Sequence, residues 1–351
     1  MATYIEVFLK VGLLSALIIL IAFQVSARDT QEPDASDETE LFAQAEPKKT
    51  LRQVLRGTVR GEGNRRQQNA AGGVTAVSVK HQGINRDYYY YVPASAGANP
   101  PLVIALHGGG GNALDFGRRT GMQAMADKYG YVVVLPQGTS RRSGGRKASG
   151  SWNANSTTGL DYAEQANIDD VDFMRLIMDS MSSAVNYDRN RVYVTGLSKG
   201  GMMAYHLACK LPERVAAIAV VAGTFSSKDC SGGNVALLHI HGTADENVPW
   251  EGGAGELSRR GANWPAVSRG IEVFSNANAC PVSPRTERIS SDTTCSVMSC
   301  GNGNAVEICL VEDGGHAWPG TSPANWQRKT NTYVSQTFDA TDFIGAFFSR
   351  N

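Results

Sequence analysis

The sequence predicts an α/β protein whose sheet is mainly parallel and is covered by helices on both faces. From about residue 73 onward, segments of strand length alternate with segments of helical spacing. The strand segments are continuously apolar, which is typical of strands buried on both faces. Together the alternation and the apolar strands indicate a parallel sheet between two layers of helices.

The elements are predicted one by one from their local patterns. Residues 74–80 and 87–93 flank a polar turn like a hairpin. A helix is expected to open at Asp169 and Asp170, because aspartate suits the N-cap and the first turn. Other helices are expected at 113–128, 202–211 and 341–349, and buried strands at 101–107, 131–136, 191–196, 216–223, 235–242 and 306–312.

Length and charge limit the possible functions. The chain has 351 residues, enough for one large domain or two small ones. Lysine plus arginine and aspartate plus glutamate each total 33, so the net charge is zero. Without an overall positive field, no nucleic-acid partner is expected. A composition of 42% hydrophobic and 19% charged residues excludes collagen-like and wholly disordered proteins.

The N-terminal segment predicts export. The run 11–23 is apolar or small and shorter than the roughly 20 residues of a membrane-spanning helix. Small residues precede position 28, so we expect 1–27 to be a signal peptide cleaved after Ala27, and the protein to be secreted. The alternative is an uncleaved signal anchor, the only form in which a membrane contact is expected.

Residues 28–73 predict a flexible charged linker ahead of a folded domain at 74–351. The part 28–46 is acidic and the part 48–66 is basic. Low hydrophobicity with high local charge favours a solvated chain. Alternatively, the stretch 48–56 forms a short basic amphipathic helix that touches a surface.

The motif Gly196-Leu197-Ser198-Lys199-Gly200 predicts a nucleophilic serine at Ser198. The motif follows an apolar strand and leads directly into a helix. This is the setting of a nucleophile elbow, in which glycines permit the strained turn that exposes the hydroxyl. The alternative is a bystander serine in a Gly-rich turn.

A serine hydroxyl needs a base to take its proton. In proteins with a nucleophile elbow the order along the chain is serine, then the acid, then the histidine. His316 lies in a glycine-rich loop after the last strand, where an open α/β sheet places its site, and is the expected base. His239 and His241 lie in or at the end of strand 235–242. We expect one of them to pack in the core and the other to shape the following turn.

The expected acid is Asp245, which directly follows the same strand. A carboxylate there can orient the imidazole and stabilise its charged form. The neighbouring Glu246 is the nearest rival. Asp313 is too close to His316 in sequence to approach the ring correctly.

A glycine run, 108–111, directly follows His107 and predicts an oxyanion hole. Glycines let backbone N–H groups approach a tetrahedral oxyanion. We assign the two donors to Gly109 and Lys199, with Gly108 as the substitute. The alternative, a phosphate-binding loop, lacks the P-loop pattern, and no cofactor is expected.

Three tryptophans lie in Gly- and Ser-rich connections rather than in periodic segments. Trp152 belongs to loop 139–167, and Trp250 and Trp264 belong to loop 246–265 beside Asp245. We expect them to contact substrate, although a core position is the alternative for each.

Six cysteines are compatible with disulfides in an exported chain. Cys209 and Cys230 are expected to pair, because one lies in the helix after the serine and the other follows the next strand. The remaining four could form two bridges with three possible connectivities. Neither their spacing nor nearby histidines indicate a metal site.

The chain resembles the polyhydroxybutyrate depolymerase and feruloyl esterase group of carbohydrate esterase family one, within the α/β-hydrolases. The segments that carry the resemblance are LHGGGGNA, LPQG, SWNAN, DDVDFM, RVYVTGLSKGGMMAYHLAC, HIHGTADENVPWEGG, GGHAWPG and FDATDFIGAFF, in that order. The resemblance implies an α/β-hydrolase with Ser198 as nucleophile, Asp245 as acid and His316 as base. It implies a secreted serine esterase that acts on hydroxyalkanoate oligomers or related soluble esters, since no substrate-binding domain follows the closing helix.

Other functions fit the same residues. A feruloyl or acetyl-xylan type carbohydrate esterase is the first alternative. A serine peptidase is the second, although no propeller-length N-terminal domain is recognised. A non-catalytic binding protein is the third, and the intact set of candidate catalytic residues argues against it.

Overall fold

The computed structural model describes the backbone of residues 68–70 and all of 73–351 except 142–148, 157, 229, 231–232, 260 and 282. In this part of the chain the strands form one sheet. The strands are β1 (Gln68–Ala70), β2 (Val74–His81), β3 (Ile84–Tyr91), β4 (Leu102–Leu106), β5 (Val132–Pro136), β6 (Val192–Leu197), β7 (Ala217–Val221), β8 (Ala236–Gly242), β9 (Arg285–Arg288), β10 (Thr293–Ser299) and β11 (Ala305–Val311).

The helices of the described residues alternate with these strands. They are α1 (Ala113–Arg119), α2 (Met122–Tyr129), α3 (Tyr162–Gln165), α4 (Asp170–Ala184), α5 (Lys199–Lys210), α6 (Ser268–Ala277), α7 (Asn325–Lys329) and α8 (Ala340–Phe348).

The centre of the sheet is parallel and its two edges are antiparallel. The strand order is β1-β2-β3-β5-β4-β6-β7-β8-β11-β10-β9. Pairing is parallel from β5 through β4, β6, β7 and β8 to β11. The pairs at either edge, including the predicted hairpin of β2 and β3, are antiparallel. The carboxyl ends of the parallel strands therefore meet at one rim, where the candidate site lies.

Helices cover both faces of the sheet. Successive residues of a strand point to opposite faces, and β4 illustrates this with Val103 and Ile104, which are both fully buried. Ile104 belongs to a core that includes Phe173 of α4 and Met203 of α5. Val103 belongs to a second core with Phe347 of α8. The predicted architecture is thus confirmed.

The predicted single helix over 113–128 is wrong in one respect, because the structure divides it into α1 and α2. Thr120 closes α1 by donating its N–H to the Phe116 carbonyl. Gly121 then adopts φ 70°, the left-handed region that glycine tolerates, and redirects the chain into α2.

All six cysteines are paired in disulfides. Cys209 is bonded to Cys230, as predicted. The other four cysteines, for which three connectivities were possible, pair as Cys280–Cys300 and Cys295–Cys309. Both of these bridges join segments close to the antiparallel edge formed by β10 and β11.

The predicted signal peptide at 1–27 lies outside the described residues, as does most of the predicted linker at 28–73. Strand β1 falls within that linker and pairs with β2, so the sheet begins before the predicted boundary. Among the residues that the structure describes, no helix is both long and apolar enough to span a bilayer.

Candidate active site

Ser198 occupies a sharp turn between β6 and α5. Its backbone has φ 54° and ψ −118°, a conformation that costs free energy for a residue with a side chain. Its own N–H donates to the carbonyl of Val221. This is the strained strand-to-helix turn that the motif predicted, held in place by the neighbouring strand β7.

The two glycines of the motif are required by close backbone contacts. A Cβ atom on Gly196 would lie 2.4 Å from the carbonyl carbon of Gly200. A Cβ atom on Gly200 would lie 2.2 Å from the carbonyl oxygen of Leu106 in β4. Because neither space can hold a methyl group, α5 can approach β4 only with glycine at both positions.

His316 and Asp245 are in direct contact. Nδ1 of His316 lies 2.8 Å from Oδ2 of Asp245. A carboxylate oxygen can only accept, so Nδ1 carries the proton and Nε2 of His316 is left able to accept one. Oδ1 of Asp245 accepts the N–H groups of Asn247 and Val248 at 2.9 and 2.8 Å.

The rival carboxylates do not take this position. Glu246 is exposed to solvent, one residue beyond the carboxylate that contacts His316, and Asp313 is also exposed. The turn after β8 therefore directs Asp245 inward, where it is 4% exposed.

Asp245 is held in its charged form. Burial would raise its pKa, but the charge of His316 and the hydrogen bond from His316 outweigh that effect, assisted by His241 and the N–H of Val248. The net result is a pKa below the usual value for aspartate. An anionic partner for His316 is thus present across the neutral range.

A buried chain of hydrogen bonds leads away from Asp245 through two histidines. Nε2 of His241 lies 2.9 Å from the carbonyl oxygen of Val248, so this nitrogen must donate and Nδ1 must accept. Nε2 of His239, 3.1 Å from that Nδ1, is then the donor. Its own Nδ1 accepts the hydroxyl of Tyr205 at 2.8 Å.

Burial favours the neutral form of both histidines. Burial lowers the pKa of His239 far below its ordinary value, and the neighbouring His241 lowers it further. Burial also lowers the pKa of His241, although the charge of Asp245 partly opposes this. The expectation that they are structural residues agrees with their positions in the core and at the turn.

The glycine run after β4 lies against the elbow. A Cβ atom on Gly108 would be 3.5 Å from Cβ of Ser198, and one on Gly109 would be 3.6 Å from Cβ of Lys199. As the first residue of α5, Lys199 has a backbone N–H without a partner in its own helix. All three residues of the predicted oxyanion hole line the same cavity as Ser198.

His107 fixes the start of this glycine run. Its Nδ1 lies 2.8 Å from the carbonyl oxygen of Gly108, so it donates there. Its Nε2 accepts the N–H of Gly138 at 3.0 Å. Burial lowers the pKa of His107 to about 4. The hydrogen bond to Gly108 opposes this shift, and the charge of Arg86 adds to it.

The side chain of Lys199 anchors a loop across the cavity. Its ammonium lies 2.6 Å from Glu164 and 3.2 Å from Asp161, and it also donates to the hydroxyl of Ser156. Asp161 in turn binds Arg259 at 2.6 Å. The sequence alone does not show this network, in which the buried ammonium of Lys199 needs acidic partners.

A cavity of about 800 Å³ opens at this rim of the sheet. Ser198 and His316 both line it, together with the glycine run. Its size lies toward the upper end of small-molecule sites. The cavity thus brings a serine hydroxyl, an imidazole and a glycine-rich backbone to one space.

The three tryptophans predicted to contact substrate have different positions. Trp264 lines the cavity and donates its Nε1–H to the carbonyl of Asn247. Trp250 is half-buried, packs edge-on against His241 and is not part of the cavity wall. Trp152 is fully buried, so its predicted role as a substrate contact is wrong. Its Nε1–H donates to the carbonyl of His107 at 2.8 Å, and this bond holds the residue that directly precedes the glycine run.

Comparisons with known proteins concern the family and the fold. The family model described as esterase PHB depolymerase matches residues 86–246, a range that contains Ser198 and Asp245 but not His316. The esterase NocK of Nocardia uniformis subsp. tsuyamanensis is 32% identical over an alignment of 271 residues that covers 70% of this chain and 74% of NocK. Feruloyl esterase B of Neurospora crassa is 32% identical over 135 residues, which are 38% of this chain and 43% of that protein.

A solved structure shows the same fold. The acetyl xylan esterase from Aspergillus awamori superposes with a TM-score of 0.50 at 19% identity, over 73% of this chain and 97% of that one. The predicted α/β-hydrolase fold is therefore confirmed. Because this chain covers about three quarters of a relative that is 32% identical to it, it belongs to the esterase PHB depolymerase family and is a carboxylic ester hydrolase of the serine hydrolase class.

Proposed function

We propose that Ser198, His316 and Asp245 are the catalytic triad and that the substrates are hydroxyalkanoate oligomers. The observation that carries the triad is the 2.8 Å contact between His316 and Asp245 at a cavity that Ser198 also lines. In this arrangement the proton on Nδ1 of His316 fixes the tautomer, and Nε2 is the base.

The reaction follows from these positions. Nε2 of His316 takes the proton of Ser198 as Oγ attacks the ester carbonyl carbon. The oxyanion that forms is stabilised by the N–H groups of Gly109 and Lys199, with Gly108 as the substitute donor. His316 then gives its proton to the departing alcohol, and water hydrolyses the acyl-enzyme with the same base.

The substrate class is supported by the family and by the cavity. Its volume of about 800 Å³ can hold more than one monomer unit of an oligomeric ester. Apolar side chains in its wall, among them Phe116, Met202 and Trp264, suit the alkyl groups of a hydroxyalkanoate. A feruloyl or acetyl-xylan ester is the alternative, supported by relatives named for those activities.

Export is part of the proposal. Three disulfides occur among the described residues, and disulfides persist in oxidising compartments. Together with the N-terminal apolar run this supports a secreted protein, extracellular or periplasmic.

The direct test compares four substrates at equal concentration: a 3-hydroxybutyrate trimer, methyl ferulate, acetylated xylan and a peptide anilide. We expect the trimer to be hydrolysed fastest, and Ser198→Ala to abolish all ester hydrolysis without changing the far-UV circular dichroism. Fastest cleavage of the ferulate or the xylan would replace the substrate assignment. Cleavage of the anilide alone would overturn the proposed reaction.

A further inference from the structure

The cavity wall carries a positive charge that no acidic side chain of the described residues neutralises. Two of its cations, Lys199 and Arg259, are paired with Asp161, and Lys199 is also paired with Glu164. The remaining carboxylate of the wall is Asp115, which binds Arg118 outside the cavity.

Two arginines of the wall, Arg119 and Arg141, have only neutral hydrogen-bond acceptors. Arg119 donates to the carbonyl oxygen of Ser322 at 3.2 Å, which holds it between α1 and the loop after His316. Arg141 donates to the side-chain oxygen of Gln165 at 3.1 Å. In the described part of the chain neither guanidinium lies within ion-pair distance of a carboxylate.

These neutral anchors orient the two cations without neutralising them. A guanidinium has five N–H donors in a fixed plane, and the recorded bonds use one from each arginine. The unused donors match the two oxygens of a carboxylate. Both arginines are exposed, so their attraction for a carboxylate is weakened by salt. Arg141 also lies 6.0 Å from the ring of Tyr162, another residue of the wall.

We propose that Arg119 and Arg141 bind a free carboxylate of the substrate, so that the enzyme prefers esters that carry a negative charge away from the scissile bond. A hydroxyalkanoate oligomer has such a group at one end. The proposal rests on the proposed function, because it states which charge on the ester substrate the same cavity prefers.

The test uses two substrates with the same leaving group. These are p-nitrophenyl butyrate, which is neutral, and mono-p-nitrophenyl glutarate, whose acyl chain ends in a carboxylate. The measured quantity is the ratio of kcat/KM for the charged ester to that for the neutral one. It is measured for the wild type, Arg119→Gln, Arg141→Gln and the double variant, at low and high salt.

Arg285→Gln is the matched control. It removes the same charge from an exposed side chain of β9 that is not part of the cavity wall. We expect each cavity variant to lower the ratio about threefold, the effect of an exposed ion pair, because both arginines are exposed. The control should leave the ratio unchanged, and salt should lower it in the wild type.

Two results would overturn the inference. One is an equal ratio in the wild type, both arginine variants and the control. The other is a ratio that falls as much in Arg285→Gln as in the cavity variants, which would indicate a general field of the protein. A wild type that hydrolyses neither ester would instead contradict the proposed function itself, so the two failures are distinguishable.

Discussion

Nε2 of His241 lies 3.5 Å from Oδ2 of Asp245, the same carboxylate oxygen that His316 contacts at 2.8 Å. The two imidazoles thus share one oxygen, while the backbone N–H groups of Asn247 and Val248 bind the other. The Nε2–H of His241 donates to the carbonyl of Val248, and the N–H of Val248 binds Asp245, so His241 holds the backbone that binds the carboxylate. His241 therefore helps to fix the position of Asp245 relative to His316.

Replacing His241 with leucine should lower kcat by about tenfold and leave KM nearly unchanged, since the group that is lost orients the acid and does not touch substrate. His241→Gln keeps an N–H donor and should recover part of the loss. Steady-state kinetics with p-nitrophenyl butyrate, together with a thermal melt of each variant, check this. Equal kcat values for both folded variants and the wild type would show that His241 only fills space.

Asp245→Asn should lower kcat by about four orders of magnitude near neutral pH, because the amide keeps the shape but permits the wrong imidazole tautomer. Glu246→Gln is the control and should have nearly wild-type activity, since Glu246 is exposed. Rates for both variants across pH 5 to 9 provide the measurement. If Glu246→Gln were the inactive variant, the acid would be assigned one residue out of place.

Acid should unfold the protein through its buried neutral histidines. Burial lowers the pKa values of His107, His239 and His241. At mildly acidic pH the unfolded chain therefore binds more protons than the folded protein does. Stability is therefore fully present above the ordinary histidine pKa, about 6.5, and is lost as pH falls below it. With a folded pKa of about 4, His107 alone accounts for on the order of 3 kcal/mol between pH 6.5 and 4.

Urea unfolding at pH 7.5, 6, 5 and 4 measures this dependence. In His107→Gln the free energy of unfolding should depend less steeply on pH, because about one proton fewer is taken up on unfolding. This holds whatever the free energy of unfolding of the variant is at pH 7.5. An identical slope in the wild type and the variant would show that His107 is not the group that resists protonation.

Removing the bridge between Cys209 and Cys230 should lower the free energy of unfolding by about 3 kcal/mol, the value of the chain-entropy model for 21 residues of separation. The double variant Cys209→Ala, Cys230→Ala should keep most of its kcat, because the bridge ties the distal end of α5 and not the elbow. Chemical denaturation and an esterase assay at a temperature below the melt measure both quantities. An unchanged free energy of unfolding would contradict the prediction.

The parallel core and the position of Ser198 could be predicted because their signals are local. The continuously apolar sequence of a strand such as Leu102–Leu106 is enough to indicate that the strand is buried. The turn at Ser198 needs glycine at Gly196 and Gly200 because of its own backbone geometry. Strand β9 (Arg285–Arg288) was missed because it is polar and exposed, and only its pairing with β10 reveals it.

Other features depend on contacts that sequence spacing does not show. Trp152 lies in a Gly- and Ser-rich connection, which correctly indicates a loop but does not show that the ring turns into the core under His107. Likewise, the acidic partners of the Lys199 side chain come from α3 and the residue before it, far away in sequence.

Covalent labelling followed by peptide mapping identifies the nucleophile, the role that the proposed mechanism gives to Ser198. The protein is treated with a fluorophosphonate, digested and analysed by mass spectrometry, with Ser198→Ala as the control. We expect one adduct per chain, on the peptide that contains Ser198, in parallel with complete loss of esterase activity, and no adduct in the variant. An adduct on another serine, such as Ser151 of the cavity wall, with Ser198 unmodified in the inactivated protein, would contradict the assignment.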